Sequence, residues 1–403
     1  MRPAGAVHRF ESPACRPPRT GLQAVVTADD PLVPFRIGSV GDHGGAAWAE
    51  GLRVQWPASL LERTGWRHRI DATGALTIPP GPTSISREDA RTLRERRAFT
   101  DGPPATARLP FNYHVVPGWA RALIASAIGR WNRRRVDRWA AFPSWPIDVS
   151  SDVLDDLRDD ALPAPAGVTP VILTHDIDSP EGLANLVDRF LTLEESVGAR
   201  STNYVVPCAW PVDDGRLQEV IARGHEVGVH GCDHRNRTPF ASPADRARRL
   251  DAARGFAERY RASGYRAPSL LRTRPLLRDI GTRYRYDSSI PTSGGLFPTP
   301  NNGCASTRPF AVEQTSELPV TIPRDGALRF LGYTPDEIVR VWIECSDLVA
   351  RAGGVVVVLT HCERRFSGAP GMFEAYRRFL EHVSTHSERF VFSTPACVLG
   401  GGV

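Results

Sequence analysis

The chain has 403 residues, 41% hydrophobic and 24% charged. That composition excludes a wholly disordered chain, and no apolar run approaches the ~18 residues that would span a bilayer as a helix. Basic residues outnumber acidic ones by 50 to 45; every basic one is arginine, and no basic motif of a nucleic-acid-binding fold appears. The surplus reads as a compositional bias, not as a nucleic-acid surface.

Residues 1–30 are rich in Pro and Arg without periodicity and read as a loose tail. They hold no apolar stretch of a secretory signal. The seven cysteines (Cys15, Cys208, Cys232, Cys304, Cys345, Cys362 and Cys397) are odd in number and contain no CxxC pair. Both features point to free thiols in a reducing, cytoplasmic compartment. Residues 31–116 form a β-rich module: short strand-like runs at 35–37, 52–54 and 75–78 alternate with Gly/Pro turns. A polar helix interrupts them, with Ser86 as its cap and Asp89 three residues on. Residues 117–164 are a helical connector. Its main helix spans 118–139, with Trp119, Leu123, Ile124, Ile128 and Trp131 on one face. Arg121, Arg130, Arg133, Arg134 and Arg138 lie largely elsewhere. The apolar face is expected to pack on the neighbouring domain and the arginines to face solvent. The early tryptophans likewise read as core or interface residues.

From 165 to 403 the texture changes to strand–helix alternation. Strands fit 171–173, 203–206, 227–229, 265–267, 284–286, 318–322, 354–360 and 390–393. Helices fit 183–197, 217–223, 242–262, 336–352 and 372–385. Repeated βα units make a parallel sheet, and this number of strands suits a barrel. A barrel of this kind should bind metal without the first region, although a chain starting near residue 162 would be less soluble.

Four polar clusters follow predicted strands: Thr174-His175-Asp176-Ile177-Asp178, His230-Gly231-Cys232-Asp233-His234, Tyr265-Arg266-Ala267-Pro268 and Leu359-Thr360-His361. The C-terminal ends of barrel strands share one rim, so residues far apart in sequence converge there. Each cluster alone is weak; the force lies in the set. Two imidazoles and a carboxylate bind a divalent ion and leave positions open. Such an ion acidifies water and polarises a carbonyl. A second carboxylate takes a proton, an arginine keeps it ionised, and a histidine opposite protonates a leaving amine. That is amide hydrolysis.

The ordered set resembles the polysaccharide deacetylases of the NodB homology group, carbohydrate esterase family 4. GHEVGVHGCDH, GYRAPS, YRYDSS and LTH carry the resemblance, which covers about residues 165–403. It implies a distorted (β/α)7 barrel and metal-dependent removal of acetyl groups from an N-acetylated carbohydrate. It implies one divalent ion, zinc first, with cobalt, manganese or nickel as substitutes. It makes Asp176 the catalytic base, Asp178, His230 and His234 the metal ligands, and Arg266 the residue that orients the base. Ser269 stands where a backbone N–H faces the oxyanion, and His361 is the general acid.

Three departures from the family pattern stand out. Ile177 separates the two aspartates. Gly231 replaces the usual Ser or Thr after the first histidine. No Trp lies between Arg266 and Trp342, so the Asp/Trp motif flanking the general acid is missing. Asp287 reads as structural, fixing the turn at Ser288-Ser289. His175 reads as a buried, hydrogen-bonded histidine, Cys232 as a small loop residue, and Cys362 as pointing to the other face. Two other functions remain open on this sequence: hydrolysis of a small non-sugar amide such as a cyclic ureide on the same barrel, or non-catalytic sugar binding.

Overall fold

The structure, a computed structural model, describes the strand backbones at 25–27, 30–37, 53–57 and 75–76 and residues 86–108, 116–135, 142–156, 167–294 and 302–400. Strands β1 (Val25–Thr27), β2 (Asp30–Ile37) and β3 (Arg53–Pro57) pair antiparallel in that order, and β4 (Ala75–Leu76) runs parallel to β2. The strand-like runs expected at 35–37, 52–54 and 75–78 overlap β2, β3 and β4, and residues 52, 77 and 78 lie outside the described residues. The expected helix follows as Arg87–Glu95, where Ser86 Oγ accepts the Asp89 N–H at 3.1 Å.

The second sheet is parallel through its middle. It runs from β5 (Thr169–Ile177) to β6 (Ser201–Val205), β7 (Glu226–Val229), β8 (Gly264–Tyr265) and β9 (Tyr286–Asp287). A hairpin of β10 (Phe310–Val312) and β11 (Thr315–Glu317) then adds β11 parallel to β9. On the other side of β5 lies β12 (Val356–His361), and β13 (Phe390–Phe392) pairs with the start of β5.

The expected strand at 318–322 is an extended continuation of β11, and it joins the two ends of the sheet. Leu318 N–H donates to Asp287 O at 2.8 Å, and Val320 N–H to Ile290 O at 3.0 Å. On its far side Ile322 N–H reaches Val357 O of β12 at 3.5 Å, and Thr321 Oγ1 accepts the Val357 N–H at 2.7 Å. The sheet therefore curls through β5, β6, β7, β8, β9, β11 with its extension, and β12. It is a distorted barrel whose weakest seam lies beside 318–322.

Side chains alternate across the barrel wall with a period of two. On β5, Val171, Leu173 and Ile177 join the core between sheet and helices. Ile172 turns inward to meet Tyr204, Tyr286, Leu318 and Val357. This inner layer is filled by two tyrosines in hydroxyl contact at 3.2 Å. Gly228 makes room for one of them, since a Cβ there would stand 2.5 Å from Tyr204 Cδ1. Above it lie Leu359, Leu270 and Val320, and above those the polar rim. The barrel is a packed column with its polar rim above two apolar layers.

Two expectations need correction. The connector helix ends earlier, as Gly118–Arg133, and its large apolar residues do not pack on the barrel: Trp119 is 70% exposed, Leu123 61% and Trp131 54%. The side turned inward carries the buried Gly129, and Arg133 anchors the helix by donating to Gly332 O at 2.9 Å and lying 4.2 Å from the Tyr333 ring centre. Small residues permit the closer approach, so the bulky ones turn outward. Arg138 lies outside the described residues. The single helix expected over 242–262 is two, Pro243–Asp251 and Arg254–Tyr260.

Candidate active site

Asp176 is the last inward-facing residue of β5, and Asp178 lies one step past the strand end on the same side. Ile177 between them is fully buried in the outer core. The one-residue spacing thus follows from strand alternation: two carboxylates inward, one anchor outward. His230 leaves β7, and His234 follows in a tight loop. Gly231 in that loop has φ +65°, and a Cβ there would lie 2.7 Å from the Pro268 ring. The space that a Ser or Thr side chain would need is filled by Pro268. His234 itself holds φ 56°, a left-handed conformation of the kind that collects at functional sites. Asp233 stabilises the turn by accepting the Arg235 N–H at 3.1 Å and by pairing with Arg249.

Asp178, His230 and His234 bring one potential ligand atom each within 4.8 Å of one another. Asp178 Oδ1 lies 3.2 Å from His234 Nε2 and 3.6 Å from His230 Nε2. An ion at ~2.1 Å from each donor in tetrahedral geometry holds its donors roughly 3.4 Å apart. Asp178 Oδ1 is buried and takes no hydrogen bond among the described residues, which is a costly condition unless a cation completes it. His230 Nδ1 sits 3.0 Å from the Arg266 carbonyl oxygen. That oxygen only accepts, so Nδ1 carries the proton and Nε2 presents its lone pair to the cluster. Burial lowers His230, which favours the neutral imidazole a metal needs. Burial pushes the Asp178 carboxyl up, but the charges of His234 and His230 outweigh it and hold the group well below the usual range. The three residues fit a divalent ion.

Asp176 stands beside this cluster. Its Oδ1 accepts from Arg266 Nη1 at 3.0 Å, and its Oδ2 lies 3.6 Å from His230 Nε2. Arg266 is completely buried and its donors are spread over the inner wall: Nη1 also reaches Thr174 Oγ1 at 2.9 Å, Nε the Ser288 carbonyl at 2.8 Å, and Nη2 the Ser288 hydroxyl at 2.8 Å. Its guanidinium lies 4.1 Å from the Tyr204 ring centre. The arginine cannot follow a moving partner, so Asp176 is held where the arginine is. Burial pushes Asp176 up, and the charges of His230, Arg266 and His361 more than reverse this, leaving the carboxyl below its ordinary value.

His361 ends β12 next to Asp176 in the pairing register. Its Nδ1 lies 2.8 Å from Asp325 Oδ1, and its backbone N–H donates to Asp325 Oδ2 at 2.9 Å. Ser367 adds two more bonds to that oxygen, from its N–H at 3.2 Å and its hydroxyl at 2.7 Å. Burial alone would lower His361, but Asp325 outweighs it and raises the imidazole to about 9. The Phe366 ring packs 4.7 Å from the His361 ring. Asp325 and Phe366 thus flank His361 with an acid and an aromatic ring.

Asp325 was not foreseen. Its one sequence signal is its position three residues after the 318–322 run, at another strand end of the same rim. Glu363 was missed as well: its Oε1 accepts the Asp178 N–H at 3.0 Å and the Ser179 hydroxyl at 2.9 Å. It braces the loop that carries Asp178, and burial with the Asp178 charge pushes it to about 7. Ser269 adopts φ 54°, ψ 18° and lines a cleft with Leu270, Val320, Arg324, Trp145 and Pro146. A connector residue, Trp145, thus walls a cleft built mainly from barrel loops. Asp287 is structural, as read: it accepts the Ser289 hydroxyl at 2.7 Å and the Ser289 N–H at 3.2 Å. His175 is fully buried between Thr360 Oγ1 at 2.8 Å and Glu194 Oε1 at 2.6 Å. Cys362 turns into the outer core.

No family model matches the chain, and no curated protein does. Similar solved structures do exist, among them polysaccharide deacetylases and family 4 carbohydrate esterases. A Mycobacterium smegmatis protein assigned as a polysaccharide deacetylase is 20% identical over 58% of this chain and 90% of its own, with a TM-score of 0.46. Puue allantoinase is 16% identical over 58% and 90%, also at 0.46. The chitin deacetylase of the fungal pathogen Colletotrichum lindemuthianum is 18% identical over 56% and 86%, at 0.37. No helix among the described residues is long and apolar enough to cross a membrane.

Proposed function

We propose that the chain is a metal-dependent amide hydrolase that removes acetyl groups from an N-acetylated carbohydrate. The observation that carries this reading is a pair of separately held groups beside one ligand cluster: Asp176 fixed by Arg266, and His361 fixed by Asp325. Sugar binding alone would need neither.

Asp178, His230 and His234 would hold the ion, for which two imidazoles and one carboxylate best suit zinc. Bound there, a divalent ion lowers the pKa of water and polarises the amide carbonyl. Asp176 is ionised and takes the proton of the attacking water on its Oδ2, the oxygen Arg266 leaves open. Arg266 keeps that carboxylate charged and aimed. The Ser269 N–H, in its left-handed turn, faces the carbonyl oxygen as negative charge develops. His361 keeps Nδ1 on Asp325 and donates from Nε2 to the leaving nitrogen, which departs as the amine while acetate stays behind.

Elemental analysis of the purified protein, combined with acetate release from N-acetylated sugar oligomers, tests the reading. One divalent ion per chain and acetate release are expected. A parallel panel of cyclic ureides and formyl amides separates the substrate classes. Metal without acetate release, or ring opening of a ureide instead, would overturn the carbohydrate assignment.

A further inference from the structure

Two cysteines meet behind the histidine loop. Cys208 lies three residues past β6 and Cys232 three past β7. These strands are parallel neighbours with Val205 opposite Val229. The pairing continues beyond them: His230 N–H donates to Val205 O at 2.8 Å, and Cys208 N–H to Cys232 O at 2.9 Å. The cysteines therefore stand opposite each other in the same register. The Cys208 thiol is 3.7 Å from Ala252 O. Neither cysteine is in a disulfide, and Cys208 is exposed. Of the other described cysteines, Cys304, Cys345 and Cys362 are buried and Cys397 is exposed.

We propose that Cys208 and Cys232 are an oxidisable dithiol that closes to a disulfide and staples the His230–His234 loop to the loop after β6. Neighbouring strands lie ~4.8 Å apart, within the ~4.4–6.8 Å Cα separation that a disulfide spans. Cys208 is the more exposed of the two and so the one an oxidant meets first. With a hydroperoxide as oxidant, the Cys208 thiolate attacks one oxygen and the O–O bond breaks, leaving a sulfenic acid. The Cys232 sulfur then attacks the Cys208 sulfur, the S–O bond breaks, and water leaves. Two thiols lose two electrons and two protons; the peroxide gains both.

The test treats the full-length protein with hydrogen peroxide and maps its non-reduced peptides. Cleavage at arginine gives segments 201–216 and 224–235, each with a single cysteine. These two should appear joined, lighter by two hydrogen atoms, and separate again with dithiothreitol. Amide hydrogen exchange of residues 231–235 should slow several-fold in the oxidised form. C208S should show neither change. A sulfenic acid at Cys208 that dimedone traps while Cys232 remains alkylatable would overturn the proposal, as would a Cys208–Cys397 link between molecules. A cross-link with unchanged exchange at 231–235 would overturn the staple. Neither readout depends on bound metal or turnover.

Discussion

One carboxylate sets how far into alkali His361 stays protonated. Asp325 raises the imidazole to about 9. A raised acid is charged below that value and lost above it, so activity should fall as pH rises through about 9. Asp325→Asn removes the charge but keeps the shape. The alkaline limb should move toward the ordinary imidazole range near 6.5, and turnover at pH 7 should fall by roughly 10²-fold with metal content unchanged. A limb that stays in place would sink the role given to Asp325. On the acid side, Asp176 is held below the usual carboxylate range, so its protonation is not what limits the rate first. His234 is raised, chiefly by Asp178 against burial, and its proton competes with the ion. The acid limb should therefore shift to lower pH when metal is added.

The two aspartates should also separate by substitution. Asp178→Asn removes the negative charge from the proposed ligand set, so metal affinity should drop and excess metal should restore part of the activity. Asp176→Asn leaves the three ligands intact, so the metal should stay while the rate falls by ~10²-fold or more without rescue. Near-normal turnover of Asp176→Asn with metal bound would remove the base from the mechanism.

Elements hold these residues at a spacing that local sequence does not record. Strands β5 and β12 carry Asp176 and His361 on their inner side, and on the outer side His175 bonds Thr360 across the same pair. Glu194 closes that outer clamp: it touches His175 and accepts the Tyr376 hydroxyl at 2.9 Å. Burial pushes Glu194 up, and the neighbouring His175 outweighs it, so the carboxyl sits below 4.5. A depressed carboxylate stabilises the fold above its unfolded pKa and loses that contribution as pH falls through the folded value. Glu194→Ala should cost about 3–5 kcal/mol in urea unfolding at pH 7, with the difference narrowing below pH 4.5. A loss within ~0.5 kcal/mol, as at surface sites, would show that the clamp contributes little.

The same strands explain what was legible in advance. β5 and β12 carry continuous apolar runs that end in a polar cluster, and β7 carries a shorter one, so both the strand and its polar end could be read. Asp325 could not, because its partner is 36 positions away and its strand is the irregular seam at 318–322. The hairpin of β10 and β11 has too few residues to show a period. The connector helix misled because amphipathic spacing tells which residues share a face but not which face meets the protein. Here glycine and small residues take the inner side.

At the scale of the molecule, the barrel does not end where its motifs end. Ala90, Leu93, Phe142, Ile147, Val149, Val153 and Leu154 all belong to the core that packs on the outer face of β5 and β12. Asp152 accepts from the Ser306 hydroxyl at 2.6 Å and from the Thr307 N–H and hydroxyl at 2.7 Å each. Buried Arg272 donates to Ala98 O at 2.6 Å. A chain starting near residue 162 would lose all of these at once. At ~1.5–3 kcal/mol for each buried apolar side chain, the loss is roughly 10 kcal/mol or more, comparable to the ~5–15 kcal/mol that holds a domain together. It also takes the Asp152 carboxylate away from the buried Ser306 and Thr307 and one of its partners from the buried Arg272 guanidinium, and losing such partners is costly. The expectation that the barrel would merely become less soluble is therefore too mild. Residues 86–403 should unfold cooperatively in urea and bind metal, whereas 162–403 should show no cooperative transition and no stoichiometric metal. The comparison is decisive because both chains contain every proposed ligand and both groups proposed for proton transfer. A folded, metal-binding 162–403 would mean that the helices before β5 only cover the barrel instead of completing its core.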